Sequence, residues 1–181
     1  MNEITMAQMC INNEIDMAFS MTPSNMKLIQ SQNDKFITHC PRPPYGFTDW
    51  WPMGFGWNCM VAPFDDPEIR WAQSYVLNRD EIVQFAFSGA SEVGFPMPFP
   101  HYGALEPYFE QIKDLLAERN PIEYNLDKSA EIMTRKGYTK DSEGFWVDAS
   151  GGSIKREIVT FPQRPSATPC APVFTEQLRR G

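Results

Sequence analysis

The side chains able to do chemistry are few. His39 and His101 are the only histidines, and Cys10, Cys40, Cys59 and Cys170 the only thiols, in a chain of 181 residues. His39 and Cys40 are sequence neighbours. On a strand they point to opposite faces, so they do not form a base and nucleophile pair. What remains for an enzyme is a small hydrolase with a loop-built site around His101 or Cys170. The cysteines lack the short paired spacing of a zinc knuckle or a redox C-x-x-C. They read as free thiols, with a Cys40–Cys59 disulfide as the open alternative. Asp65-Asp66 offers a carboxylate pair, but Asp66 is accounted for as a helix cap. Asp141, Glu143 and Gly144 lack the other ligand positions of a calcium loop and read as a polar turn. There is no G-x-G-x-x-G and no P-loop. The chemistry favours binding over catalysis, with no metal and no cofactor.

The binding candidates are aromatic. From Pro41 to Pro63 the sequence PRPPYGFTDWWPMGFGWNCMVAP carries five prolines, three tryptophans and three glycines. A core strand does not tolerate those prolines. Pro41 to Pro44 reads as an extended linker, and Trp50 to Asn58 as an exposed aromatic segment ending in a strand near Phe55 to Met60. Trp50, Trp51 and Trp57 either pack across a junction between two lobes or form a stacking platform for a ligand.

The elements that must position such a segment follow it directly. Asp66 is an N-cap, Pro67 fits the first helical position, and Glu68 suits the positive end of the dipole. Asn78, with Glu81 three residues on, repeats the capping logic before Ile82 and Val83. Between them Ile69, Ala72, Gln73 and Val76 share one face, predicting a docked helix pair. Upstream, residues 2–13 predict a helix, Ile15 to Phe19 a strand, Thr22-Pro23 the start of a short helix, and Phe36 to His39 a second strand. Downstream come a Pro/Gly-rich loop over Gly89 to Gly103, then a helix over Leu105 to Glu118 that buries Tyr108, Ile112, Leu115 and Leu116. Next is a helix capped by Asn125 and stopped by Gly137. Phe145 to Val147 and Ile154 to Phe161 predict a hairpin, and Val173 to Arg180 a last helical stub.

Composition narrows the partners. With 42% hydrophobic residues the chain can build a core. A net charge of −7 and no basic block argue against nucleic acid and anionic membrane surfaces. No apolar run approaches the roughly 20 residues of a membrane span. The N-terminus lacks the basic-then-apolar pattern of a signal peptide, so the sequence reads as soluble and without its own targeting signal.

Asn58, Pro63-Phe64-Asp65-Asp66, Ile69-Arg70, Ala72, Tyr75, Asn78-Arg79 and Ile82-Val83 together resemble a segment of the bacterial family 5 extracellular solute-binding proteins. Tyr124-Asn125-Leu126-Asp127-Lys128, Ala130 and Gly137-Tyr138 are similar to a later helix of that family. Phe145-Trp146 with Gly151-Gly152 is similar to its hairpin, and Glu14-Ile15-Asp16 to a strand entry. Trp71, Met133 and the long aromatic segment from Pro41 to Trp57 depart from the pattern.

The resemblance implies an α/β (mixed α+β) fold of the periplasmic-binding-protein type, as an internal fragment of a two-lobe protein and mainly of its second lobe. Residues 1–45 are then a partial first lobe, 46–60 a crossover and 61–181 a partial second lobe. It also implies the substrate-binding component of an ABC-type importer, without catalysis. Such a protein captures oligopeptides, or in the alternative oligosaccharides, and delivers them to the permease subunits in the membrane. The full-length protein is expected to be periplasmic or extracellular, with a lipid anchor as one form of attachment. The ligand-facing residues implied are Trp50, Trp51 and Trp57 with Arg164, whose guanidinium suits a carboxylate or sugar hydroxyls.

Overall fold

A computed structural model describes residues 2–19, 21–42, 45, 53–94, 103–161 and 168–181. Among them the order is α1 (Glu3–Ile11), α2 (Pro23–Gln32), α3 (Pro67–Tyr75), α4 (Arg79–Phe87), a 3-10 turn (Gly103–Leu105), α5 (Glu106–Gln111), α6 (Lys113–Glu118), α7 (Leu126–Arg135), β1 (Thr139–Lys140), β2 (Trp146–Val147) and α8 (Cys170–Arg180). The fold is mixed helix and strand, with helix dominant among the described residues.

The helix starts form where their caps predict. Asp66 Oδ1 accepts from the Glu68 amide at 2.8 Å, Asn78 Oδ1 from Glu81 at 3.1 Å, and Asn125 Oδ1 from Lys128 at 3.0 Å. Each satisfies an amide that the first helical turn leaves without a partner. At the far end of α7, Gly137 has φ +87°. The Tyr138 amide reaches back to Met133 O and Gly137 to Thr134 O, each at 3.0 Å, which is the paired-bond stop that glycine permits.

α3 and α7 pack antiparallel. The Asn125 amide at the start of α7 donates to Tyr75 O at the end of α3 at 2.8 Å. At the other end, Lys136 Nζ lies 2.6 Å from Asp66 Oδ2 and Arg135 Nη2 lies 3.0 Å from Glu68 Oε2. Between these ends Ile69, Ala72 and Met133 are buried with Phe64 and Trp146. A second cluster joins α4 to α8 through Leu77, Ile82, Cys170, Phe174 and Leu178. Gln177 Nε2 spans the same interface to Asn78 O at 2.9 Å. A third cluster, Ala7, Cys10 and Ile29, holds α1 on α2. There the buried Asn33 amide group donates to Cys10 O at 2.8 Å and to Asn13 Oδ1 at 3.1 Å.

The predicted strands over 15–19, 36–39 and 55–60 are not present. A strand requires a hydrogen-bonded neighbour, and the described residues supply none to these segments. Met17, Phe19 and Ile37 are accordingly exposed. At 58–60 the Asn58 side chain takes the Met60 amide at 3.1 Å and makes a turn. The hairpin forms only near its turn: β2 pairs antiparallel with β1, which the pattern did not predict, and Val147 bridges Ser153. Residues 154–161 continue without a strand ladder. The helix expected over 105–118 is broken at Ile112, whose amide bonds to Phe109 O instead of the carbonyl a full turn back. Phe109 is its buried side chain, while Tyr108, Ile112 and Leu115 are exposed.

Because Met133 is fully buried between α3 and α7, Met133→Ala should lower unfolding free energy by about 2–5 kcal/mol. Urea unfolding followed by circular dichroism measures this; a midpoint equal to the parent's would mean that α7 does not seat on α3 as described.

Candidate functional site

Of the ligand-facing residues expected from sequence, Trp50, Trp51 and Arg164 lie outside the described residues, as does His101. Trp57 is described. Its ring stacks on Phe64 at 4.4 Å with 17° between planes and meets Phe55 edge-on at 5.0 Å. It is half-buried and packs against both the α3–α7 cluster and the α4–α8 cluster.

Phe55 extends this aromatic row to α8, with its ring centroid 5.0 Å from that of Phe174. Phe55 stands just after the segment holding Trp50 and Trp51. Phe174 stands one turn into α8, the helix that begins six positions after Arg164. The flanks of two segments more than a hundred residues apart in sequence are therefore in contact. Phe55 was not singled out from the sequence, although its two-residue spacing from Trp57 was a usable signal. Side chains at that spacing in an extended segment share a face.

Behind this row the turn into α3 is held by its own polar groups. The Ala62–Pro63 peptide is cis. Arg70 Nη1 donates to Phe64 O at 2.6 Å and to Asp65 O at 3.1 Å, and Asp65 Oδ1 accepts from the Asp66 amide. Asp65 and Arg70 are thus committed to the turn. Hydrogen bonding from Lys136, then from the Glu68 amide, holds the Asp66 carboxyl below its usual range. Arg135, then Lys136, does the same for Glu68. The bond to Asp66 raises Lys136.

The hydrolase candidates find less support. Cys170 is buried at the start of α8 in the α4–α8 cluster, and burial pushes its thiol pKa up, away from the thiolate a nucleophile requires. Cys10, Cys40, Cys59 and Cys170 are not joined in disulfides. Asp141 Oδ1 accepts from the Glu143 and Phe145 amides, each at 2.9 Å, which makes it the polar turn expected. Among the described residues no three His, Cys, Asp or Glu side chains cluster as a metal site would need, and no helix is long and apolar enough to cross a membrane.

A cleft of about 290 Å³ lies elsewhere, between α3, α6 and α7. Trp71 and Tyr75 line it, with Arg119 5.7 Å from the Trp71 ring centroid and Lys128 5.5 Å from that of Tyr75. Its cations face carboxylates: Lys128 pairs with Glu123 at 2.8 Å and Arg135 with Glu68. Its charges are thereby balanced.

The sequence profile of the bacterial extracellular solute-binding proteins, family 5 (middle), matches residues 2–180. The chain belongs to this family. It is 25% identical over 111 residues to the glutathione-binding protein GsiB of Pectobacterium atrosepticum, covering 61% of this chain and 19% of that protein. It is 24% identical over 119 residues to a probable ABC transporter-binding protein of Deinococcus radiodurans, covering 65% of this chain and 18% of that one. The crystal structure of a periplasmic oligopeptide-binding protein from Thermotoga maritima superimposes with a TM-score of 0.77 at 21% identity, over 99% of this chain and 33% of that chain. The mannohexaose-bound form of that protein gives a TM-score of 0.75 at 19% identity, over 99% of this chain and 32% of that chain. The chain thus spans about a fifth of the curated relatives' length and a third of the structural neighbours'. The fold is that of part of a two-lobe binding protein.

Two outcomes follow. Trp57→Ala removes a ring shared by two clusters and should cost about 3 kcal/mol, whereas Trp57→Phe should keep most of the stacking; equal stability of the alanine variant in urea would contradict the packing. Asp66 and Glu68 have depressed pKa values, so their contribution is present above the ordinary carboxylate range and is lost as pH falls through the folded values. The urea midpoint should drop below about pH 4. The drop should be smaller in Asp66→Asn, which retains a capping side chain without the charge; identical pH profiles would exclude the Asp66–Lys136 pair as a contributor.

Proposed function

We propose that this chain is part of the substrate-binding component of an ABC-type importer, which captures oligopeptides and delivers them to the permease subunits in the membrane. Residues 1–45 contribute to the first lobe, 46–60 to the crossover and 61–181 to the second lobe. Ligand binding falls to Trp50, Trp51 and Trp57 with Arg164. The observation that carries this assignment is the match of the family 5 solute-binding profile to residues 2–180; the Phe55–Phe174 contact at 5.0 Å supports the choice of site residues, since Phe55 follows Trp51 by four positions and Phe174 follows Arg164 by ten. Two described clusters confined to residues 57–178 and a third confined to residues 7–36 support the division into lobes.

The full-length protein works outside the cytoplasmic membrane, free or lipid-anchored, and performs no catalysis. Closure of two lobes around a ligand presents it to the permease. The guanidinium of Arg164 suits a peptide carboxylate, and the indoles supply apolar surface with a polar edge. Oligosaccharides are the second reading, favoured by the mannohexaose in the Thermotoga maritima protein and by the affinity of sugar CH faces for indole rings.

A full-length protein screened by thermal shift against peptides and oligosaccharides decides between the two classes. Peptides should raise the melting temperature, and Arg164→Ala should weaken their binding about 10- to 100-fold, the range of a charge-assisted hydrogen bond. Stabilisation by oligosaccharides alone would move the assignment to the second reading. No response to either class, with Trp50→Ala and Trp51→Ala indistinguishable from the parent, would remove the site.

A further inference from the structure

The cleft of about 290 Å³ between α3, α6 and α7 has no part in the importer reading, since none of Trp50, Trp51, Trp57 and Arg164 lines it. Its volume is at the lower edge of the roughly 300–1,000 Å³ of small-molecule sites, which suits an occupant of about one ring. Its wall is Trp71, one of the departures from the family pattern, with Tyr75 one helical turn on. The two ring centroids are 5.9 Å apart, with 33° between planes. Tyr75 is buried and Trp71 half-buried, so the indole is the aromatic surface that the cleft presents.

The charges around this wall are of two kinds. Lys128 and Arg135 are committed, through hydrogen bonds of 2.8 Å to Glu123 and 3.0 Å to Glu68. Arg119 and Glu131 are not. Among the described residues Arg119 pairs only with its neighbour Glu118, at 3.9 Å, and Glu131 only with Arg135, also at 3.9 Å. Both separations are too long for a hydrogen bond. The Arg119 guanidinium carbon stands 5.7 Å from the centroid of the Trp71 ring. The cleft thus offers an uncommitted guanidinium beside an indole, and an uncommitted carboxylate on α7. In all, Glu68, Glu118 and Glu131 line it together with Arg119, Lys128 and Arg135. With the two signs matched, a simple anion or a simple cation meets repulsion as well as attraction. A ligand that carries both charges offers each sign its opposite.

We propose that this cleft binds a free aromatic amino acid as its zwitterion. The ring packs on Trp71, the carboxylate accepts from Arg119 and the ammonium donates to Glu131. A guanidinium gives a carboxylate two parallel N–H bonds in one plane, and contact between rings adds to the apolar area covered. The site does not depend on the importer assignment, because it shares no residue with the tryptophan and Arg164 rim.

The probe is L-phenylalanine, titrated calorimetrically into the full-length protein. Phenethylamine and 3-phenylpropionate, which keep the ring but lack the carboxylate or the ammonium, are titrated beside it. Phenylalanine should bind saturably, and each analogue about tenfold more weakly or worse. Arg119 and Glu131 are exposed, so Arg119→Gln and Glu131→Gln keep the fold; each should weaken phenylalanine about tenfold. Trp71→Ala should weaken it at least as much. Absence of saturable binding overturns the site. So does an affinity unchanged in Arg119→Gln and Glu131→Gln, or an analogue that binds as tightly as phenylalanine. Binding lost in Arg164→Ala but kept in Arg119→Gln places phenylalanine in the importer site and overturns this one. Failure of the importer reading leaves the expected phenylalanine titration unchanged, so the two can fail separately.

Discussion

The structure from residue 53 onward depends on where one indole sits. Trp57 stacks on Phe64 at 4.4 Å and borders both larger hydrophobic clusters. One cluster is built by α3 and α7, the other by α4 and α8, and the shortest covalent link between them is the step from α3 to α4 through Val76, Leu77 and Asn78. A planar, amphipathic ring bridging the clusters fixes the direction in which the chain enters this region. Phe55 then carries the row to α8.

Polar contacts supply direction where the apolar contacts supply cohesion. Asn125 bonding to Tyr75 O at one end, and Asp66 with Glu68 facing Arg135 and Lys136 at the other, set α7 antiparallel to α3. The carboxylates lie at a helix N-terminus and the cations at a helix C-terminus, so each pair also suits the dipole beside it. Exposed pairs of this kind contribute little free energy singly. Their value here is in selecting one register, while buried Met133, Ile69 and Ala72 provide the stability.

Much of the helical framework was legible in the sequence because caps are local. Asp66-Pro67, Asn78 with Glu81, and Asn125 with Gly137 announce starts and a stop through side chains that bond within a few residues of themselves. The strands were not legible in the same way. Alternation at Ile15, Met17 and Phe19, or at 154–161, shows that a segment is suited to a sheet, but a ladder depends on a distant neighbour. The break at Ile112 also escaped the pattern, because the apolar positions of 105–118 continue straight through it. For the site, the aromatic segment and the family motif were visible from Asn58 to Val83. That Phe55 would reach Phe174 was not, since the two lie 119 positions apart in the chain. That Arg156 would donate to Leu178 O at 3.2 Å is likewise a property of packing that no local spacing announces.

The helix pair that follows the aromatic segment is therefore a scaffold, and its structural consequence is that Phe55 meets Phe174 on α8. A double-mutant cycle with Phe55→Ala, Phe174→Ala and the combined variant, measured by urea unfolding, tests it directly. The convergence predicts a coupling of about 0.5–1.5 kcal/mol between the two rings. Single effects that sum to the double within about 0.3 kcal/mol would contradict it.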